Sequence, residues 1–243
     1  VVLEKGCYNR KRLLLLKEGV KMVKRVNSRV TMLKVIPQVN ERYRKLWDFP
    51  DDHQSIGLIA CDIEDVMHFA LDDASRKARI HVVHVETVYG GADYSWSRFG
   101  GEITAVISGP KVEDVRSGLM YIREYIETKC GSYVIDDDES MSYYVDCLPR
   151  IGLYNQKRYG LPEETALALL VASPVEWAYG FDKASTASHK PVVEVAQVPS
   201  RVNTGGVVLS GTESACRAAV SAFAEAVQYC YANPTSLEPE GGK

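Results

Sequence analysis

Apolar positions recur along the chain with the two-residue period of β-strands, and they fall into two successive sets. Residues 30–39, 55–62, 80–89 and 102–108 read as strands in the first set; 143–148, 165–172, 192–198 and 206–210 read as strands in the second. The stretch 55–62 is apolar almost without interruption, which predicts a central strand or one buried on both faces. Helical spacing appears between the strands. A short helix is expected at 41–47. Residues 64–77 place Val66, Phe69, Ala70 and Ala74 on one side, and 111–129 place Val115, Leu119, Ile122 and Ile126 on one side. Residues 175–188 and 213–232 read as the helices of the second set, the last stopping at Asn233-Pro234. Strands mixed with helices, twice over, predict an α/β chain of the α+β kind, with helices packed on antiparallel sheets.

The two sets are copies. Leu71-Asp72-Asp73-Ala74-Ser75 matches Phe181-Asp182-Lys183-Ala184-Ser185, and Val82-Val83 matches Val192-Val193, at one constant spacing. Ser108-Gly109 then matches Ser210-Gly211, and Arg116 matches Arg217, at a shorter spacing. The order is kept while the spacing shrinks, as duplicated domains with a longer loop in the first copy require. The expected organisation is a basic N-terminal extension (1–28), a first domain (29–135), a second domain (136–235) and a C-terminal tail (236–243).

Composition fits two ordinary domains. Hydrophobic residues are 46% and charged residues 25% of 243, as in soluble globular proteins and unlike disordered or fibrous ones. No unbroken apolar run, Leu13 to Leu16 included, comes near the length needed to span a membrane. Six cysteines without a CxxC pair point to reduced thiols in a cytosol. The formal charge of −3 leaves no global footprint for nucleic acid. It is unevenly spread, however: residues 1–45 hold 13 Lys and Arg against three acids. A basic arm on an acidic body suits nucleic acid, an anionic surface or an acidic partner. The competing reading is that Lys17-Glu18-Gly19 back-translates to a purine-rich ribosome-binding sequence before Met22. Residues 1–21 would then be translated upstream DNA, and nucleic-acid binding would fall with them.

No catalytic constellation stands out, and neither cofactor nor metal is expected. His53, His68, His81, His84 and His189 form no HxxxH pair, and His81 and His84 on one strand should point to opposite faces. Ser140 and Ser173 lack a nucleophile elbow, and the paired glycines form neither a P-loop nor GxGxxG. The acidic run Asp136-Asp137-Asp138-Glu139 lacks EF-hand spacing and reads as a solvated turn. Glu64-Asp65 and Asp72-Asp73 read as helix-start carboxylates held by the helix dipole. The unusual feature is the loop at 89–101. Glycines hinge it at both ends (Gly90, Gly91, Gly100, Gly101), and Tyr94, Trp96 and Phe99 lie between them with Arg98. Such a loop suits a lid, a gate or a docking surface. Its counterpart at 199–206, with Arg201 and Asn203, is shorter and polar.

Particular residues resemble the bacterial microcompartment shell family. In the first copy they are Ser55-Ile56-Gly57-Leu58-Ile59, Asp62, Asp65-Val66, Asp72-Asp73-Ala74, Tyr89-x-Gly91-Ala92, Gly101-Glu102, Gly109-Pro110 and Arg116-Ser117-Gly118-Leu119. In the second they are Pro174-Val175-Glu176, Tyr179-Gly180-x-Asp182, Gly211-Thr212-Glu213-Ser214-Ala215-Cys216, Phe223-x-Glu225-Ala226-Val227 and Asn233-Pro234. The resemblance covers roughly residues 29 to 235 and is closest to the tandem-domain members of ethanolamine-type pathways. It implies two circularly permuted ferredoxin-like shell domains, and a homotrimer that forms a flat pseudohexameric tile beside other shell proteins in a cytoplasmic microcompartment. It also implies a central pore for small metabolites, gated by the loops bearing Tyr89, Gly90, Gly91, Tyr94, Trp96, Arg98, Phe99, Arg201 and Asn203. Trp96 and Phe99 would plug that pore and Arg98 would set its charge. A second, smaller pore is implied between the domains, with a ligand site of Glu64, Asp65, Tyr133 and Glu176: carboxylates and an aromatic wall for an ammonium group. Glu64 stands where relatives carry Asp, and Val202 stands near an expected threonine, which removes one hydroxyl contact. The resemblance implies no enzyme. The rival reading is a small-molecule-sensing regulatory module built from tandem ferredoxin-like domains.

Overall fold

The apolar run around residue 58 and its repeat around residue 169 become central strands of two antiparallel sheets. The computed structural model describes residues 23–47, 49–88, 102–135, 141–188 and 204–237, with backbone alone at 88 and 193–195. Its first half contains β1 (Lys24–Asn27), β2 (Val30–Ile36), α1 (Glu41–Arg44), β3 (Ser55–Cys61), α2 (Glu64–Ser75), β4 (His81–Val88), β5 (Glu102–Gly109) and α3 (Val112–Glu124). A π-helical turn (Tyr125–Lys129) extends α3. Then come β6 (Gly131–Val134), β7 (Ser142–Leu148), α4 (Leu153–Tyr159), β8 (Ala166–Ala172), α5 (Pro174–Ala187), β9 (Val193–Val195), β10 (Gly205–Gly211) and α6 (Glu213–Ala232).

The duplication seen in the sequence is a duplication of topology. The first sheet has the order β2-β3-β5-β4, and the second has β1-β6-β7-β8-β10-β9. Without β1 and β6, the second order is the first order one repeat later. The backbone repeats as well. Val39 N donates to Gln54 O at 2.8 Å and Arg44 N to Asn40 O at 2.9 Å. Ile151 N donates to Thr165 O and Gln156 N to Gly152 O, both at 3.0 Å. These bonds align α1 on α4 residue by residue.

Three elements had no clear signature in the sequence: β1, β6 and α4. The expected extension, 1–28, supplies β1, which pairs with β6 from Lys24↔Val134 to Asn27↔Gly131. The expected first domain, 29–135, ends with β6, which is bonded into the second sheet. The link from β1 to β2 is held by Asp62, which accepts from Ser28 Oγ at 2.8 Å, Arg29 N at 2.9 Å and Arg29 Nε at 3.1 Å.

Packing follows from strand alternation. On β8, Ala166, Ala168, Leu170 and Ala172 face one core, while Leu167, Leu169 and Val171 face another. The second of these cores joins Val66, Phe69, Leu119 and Ile122 of the first half to Tyr144, Leu148, Ile151 and Val208 of the second. At roughly 2 kcal/mol per buried apolar side chain, this shared core outweighs any single polar contact between the halves. The other core lies under α5 and α6, around Phe223. A Cβ at Gly180 would sit 2.8 Å from the Phe223 ring, so glycine is what lets α5 and α6 approach.

Thr212 begins α6, and its hydroxyl accepts from Ala215 N at 3.3 Å. Thr212→Ala removes this cap. It is expected to cost about 1 kcal/mol and to lower the melting temperature by roughly 2–4 °C, readable by calorimetry.

Candidate functional site

Helix α2 leaves the central strand β3 at Cys61 and turns through Ile63, whose side chain supplies no cap. Its first two residues are Glu64 and Asp65, so two adjacent carboxyls stand at the positive end of a helix. Asp65 is only 7% exposed. Burial, with Glu64 beside it, raises its carboxyl to about 8. Burial also raises Glu64, opposed by a hydrogen bond from Thr87. A desolvated carboxyl pair with little cationic compensation is an environment that a small cation would stabilise.

The other residues implied for this ligand site are carried by β6 and α5. Tyr133, on β6, stacks on its cross-strand partner Tyr143 with ring centroids 5.3 Å apart. Both rings belong to the core under α5 and α6. Glu176 is buried in the first turn of α5, the repeat of the first turn of α2. The structure places Glu64 and Asp65 side by side in the first turn of α2. The loop residues Tyr89, Gly90, Gly91, Tyr94, Trp96, Arg98, Phe99, Arg201 and Asn203 lie outside the described residues. So do the acidic run 136–139 and His189.

Two expectations need correction. Asp72 and Asp73 are not helix-start residues; they lie in the last turn of α2. Asp73 is paired with Arg76 at 2.8 Å and Lys77 at 2.5 Å, which hold its carboxyl below the ordinary range despite burial. Asp72 reaches across to α4 and accepts from Gly152 N at 2.6 Å and Asn155 N at 2.8 Å. Nor do His81 and His84 point to opposite faces. A bulge after Val82 pairs them with Ser108 and Val106, which share a face. His53 lies against the same strand, its Nδ1 2.8 Å from Ser108 Oγ and its ring 6.5 Å from that of His81. His68 packs half-buried against Tyr154, 2.9 Å from its hydroxyl, and desolvation lowers it to about 3.

The sequence reading also missed Asp146, which accepts from Tyr125 and Tyr144 hydroxyls at 2.9 and 3.2 Å and anchors the π-helical turn to β7. Local sequence held little sign of it, because Tyr125 lies 21 residues away and reaches Asp146 only once the chain folds. Among the described residues, no group of three His, Cys, Asp or Glu is placed to hold a metal ion, and no helix is long and apolar enough to cross a membrane.

No protein-family model matches the chain. It is 37% identical over 209 residues to the bacterial microcompartment shell protein EutL of Clostridium perfringens, covering 86% of this chain and 96% of that one. Among solved structures, the ethanolamine utilization protein EutL of Leptotrichia buccalis superposes with a TM-score of 0.81 at 36% identity, over 89% of this chain and all of that one. A trimeric bacterial microcompartment shell protein, PduB, superposes with a TM-score of 0.67 over 86% of this chain and 92% of that one. At 17% identity, that likeness speaks to the fold alone.

Proposed function

The chain belongs to the bacterial microcompartment shell proteins, as a relative of EutL, and from this we propose that three copies close into a pseudohexameric tile of a shell facet. The observation that carries the reading is the repeated strand order, two shell-type halves per chain. Three such chains supply six similar halves, enough for a flat six-sided unit. Segments 89–101 and 199–204 follow β4 and β9 in the chain, at repeat-related positions. In this reading they meet around the three-fold axis and gate a pore for small metabolites. The glycine hinges allow the loop to rearrange, and Trp96 and Phe99 close it. The Glu64–Asp65 pair serves as a site for a small ammonium compound, as an ethanolamine-type pathway would provide. The role is structural and selective rather than catalytic.

Light scattering of the purified chain is expected to give a mass three times 27.0 kDa, about 81 kDa. Negative-stain microscopy of the same sample should show hexagonal tiles or sheets. A stable monomer at micromolar concentration would overturn the reading.

A further inference from the structure

Each half presents the same helix face, and among the described residues only one of the two faces is covered within the chain. On α2, Asp65, His68, Asp72 and Ser75 lie along one side at helical spacing. The second half covers that side. Asp72 takes the N–H groups of Gly152 and Asn155, Ser75 Oγ accepts from Tyr154 N at 3.4 Å, and His68 stacks on Tyr154 with the rings 5° from parallel. On α5 the repeat-related residues are Val175, Ala178, Asp182 and Ser185. Aspartate and serine thus recur at the two polar positions. All four are exposed, Val175 at 74%.

The segment that would answer this face is exposed too. The repeated backbone bonds match Asn40 to Gly152, Arg42 to Tyr154 and Tyr43 to Asn155. Helix α1 buries none of its residues, and Leu46 just after it is 72% exposed. We propose that α5 of one copy docks on α1 of a second copy, in the arrangement that α2 and α4 adopt inside the chain. This rests on the shell-tile reading and assigns the residues of its contact. The contact is head-to-tail: each copy offers α5 to one neighbour and α1 to the other.

One difference from the internal contact sets the chemistry. A Cβ at Gly152 would lie 2.4 Å from Asp72 O. Asn40 carries a side chain at the matching place, and its Oδ1 already accepts from Arg42 N at 2.8 Å. α1 is thus self-capped, and its side chain holds α5 of the neighbour further out than α2 stands from α4. Asp182 then meets the exposed Arg42 guanidinium instead of bare N–H groups. Ala178, where α2 has His68, leaves room for that side chain. Opposite charges at these two positions give the contact its register.

The test is charge reversal in the full chain, read by light scattering across a dilution series. D182R alone and R42D alone are each expected to weaken assembly at least tenfold and move the mass toward 27.0 kDa. The D182R/R42D double variant is expected to restore the trimer. Far-UV circular dichroism should be unchanged in all three, since both side chains are exposed. Single variants that assemble as tightly as wild type would overturn this contact and leave the shell reading standing. A wild-type monomer would overturn both. As a second measurement, an Ala178→Cys/Arg42→Cys chain under mild oxidation is expected to form covalent multimers that neither single variant forms; their absence counts against the contact.

Discussion

Replacing Asp72 by alanine is expected to cost about 3 kcal/mol of stability and to lower the melting temperature by roughly 6–12 °C. Asp72 is fully buried, and its two carboxylate oxygens take the N–H groups of Gly152 and Asn155, 80 and 83 residues away. Those N–H groups open α4, whose cap position is glycine and carries no side chain of its own. Asp72 therefore acts as a helix cap supplied by the other half of the chain. Alanine leaves two buried donors without partners, and each costs about 1–3 kcal/mol. Gly152→Ala attacks the same contact from the other side, because its Cβ would meet Asp72 O at 2.4 Å and Ser75 Oγ at 2.6 Å. The two substitutions disrupt one contact, so their combined cost should fall short of the sum. Calorimetry of the two single variants and the double variant decides the matter. An Asp72→Ala chain that melts within 1 °C of wild type would show that water or another group replaces the clamp.

The clamp also marks the limit of what the sequence discloses. The duplicated strand order was legible, since apolar period and the Asp72/Asp182 match both survive in single residues. Strand β3 was legible as central because Ile56 to Cys61 leaves almost no polar position for solvent. The contact of Asp72 with α4 was not legible, and the aspartate pair passed for helix-start residues. Nothing within a helical turn of residue 72 refers to residue 152. β1 and β6 were hidden for a related reason. KRVN and GSYV are four residues each, too short for a period, and they are strands only because they pair with each other and with β7. The bulge at Val82 was equally silent, since one extra residue reverses the facing of His84 without changing composition. At the candidate site, Glu64 and Asp65 were legible as adjacent acids at a helix start. The placement of Tyr133 came from its pairing with Tyr143 across β6 and β7.

Asp65→Asn is expected to stabilise the protein at alkaline pH and to do almost nothing in acid. Burial raises the Asp65 carboxyl from 3.8 to about 8, so the folded chain keeps a proton that the unfolded chain has already released. Stability therefore falls as pH rises through that window, and is fully present only below it. The loss by the top of the window is roughly 5 kcal/mol. Asparagine matches the shape of the neutral acid and does not titrate. The variant should melt roughly 10–20 °C above wild type near pH 8, with the two curves converging toward pH 4. A chain that keeps an aspartate where asparagine is more stable carries a cost, and a cationic ligand would offset it. A small primary ammonium beside Asp65 and Glu64 compensates the charge, lowers the aspartate toward its ordinary range and returns stability that was lost. Adding such an amine near pH 8 should raise the melting temperature of wild type and leave Asp65→Asn unmoved. Titration calorimetry in two buffers of different ionisation heat should show proton release on binding near neutral pH. An Asp65→Asn chain no more stable than wild type at pH 8 would remove the desolvation argument. Equal responses of both chains to the amine would remove the cation site and leave the two acids as a feature of how the halves pack.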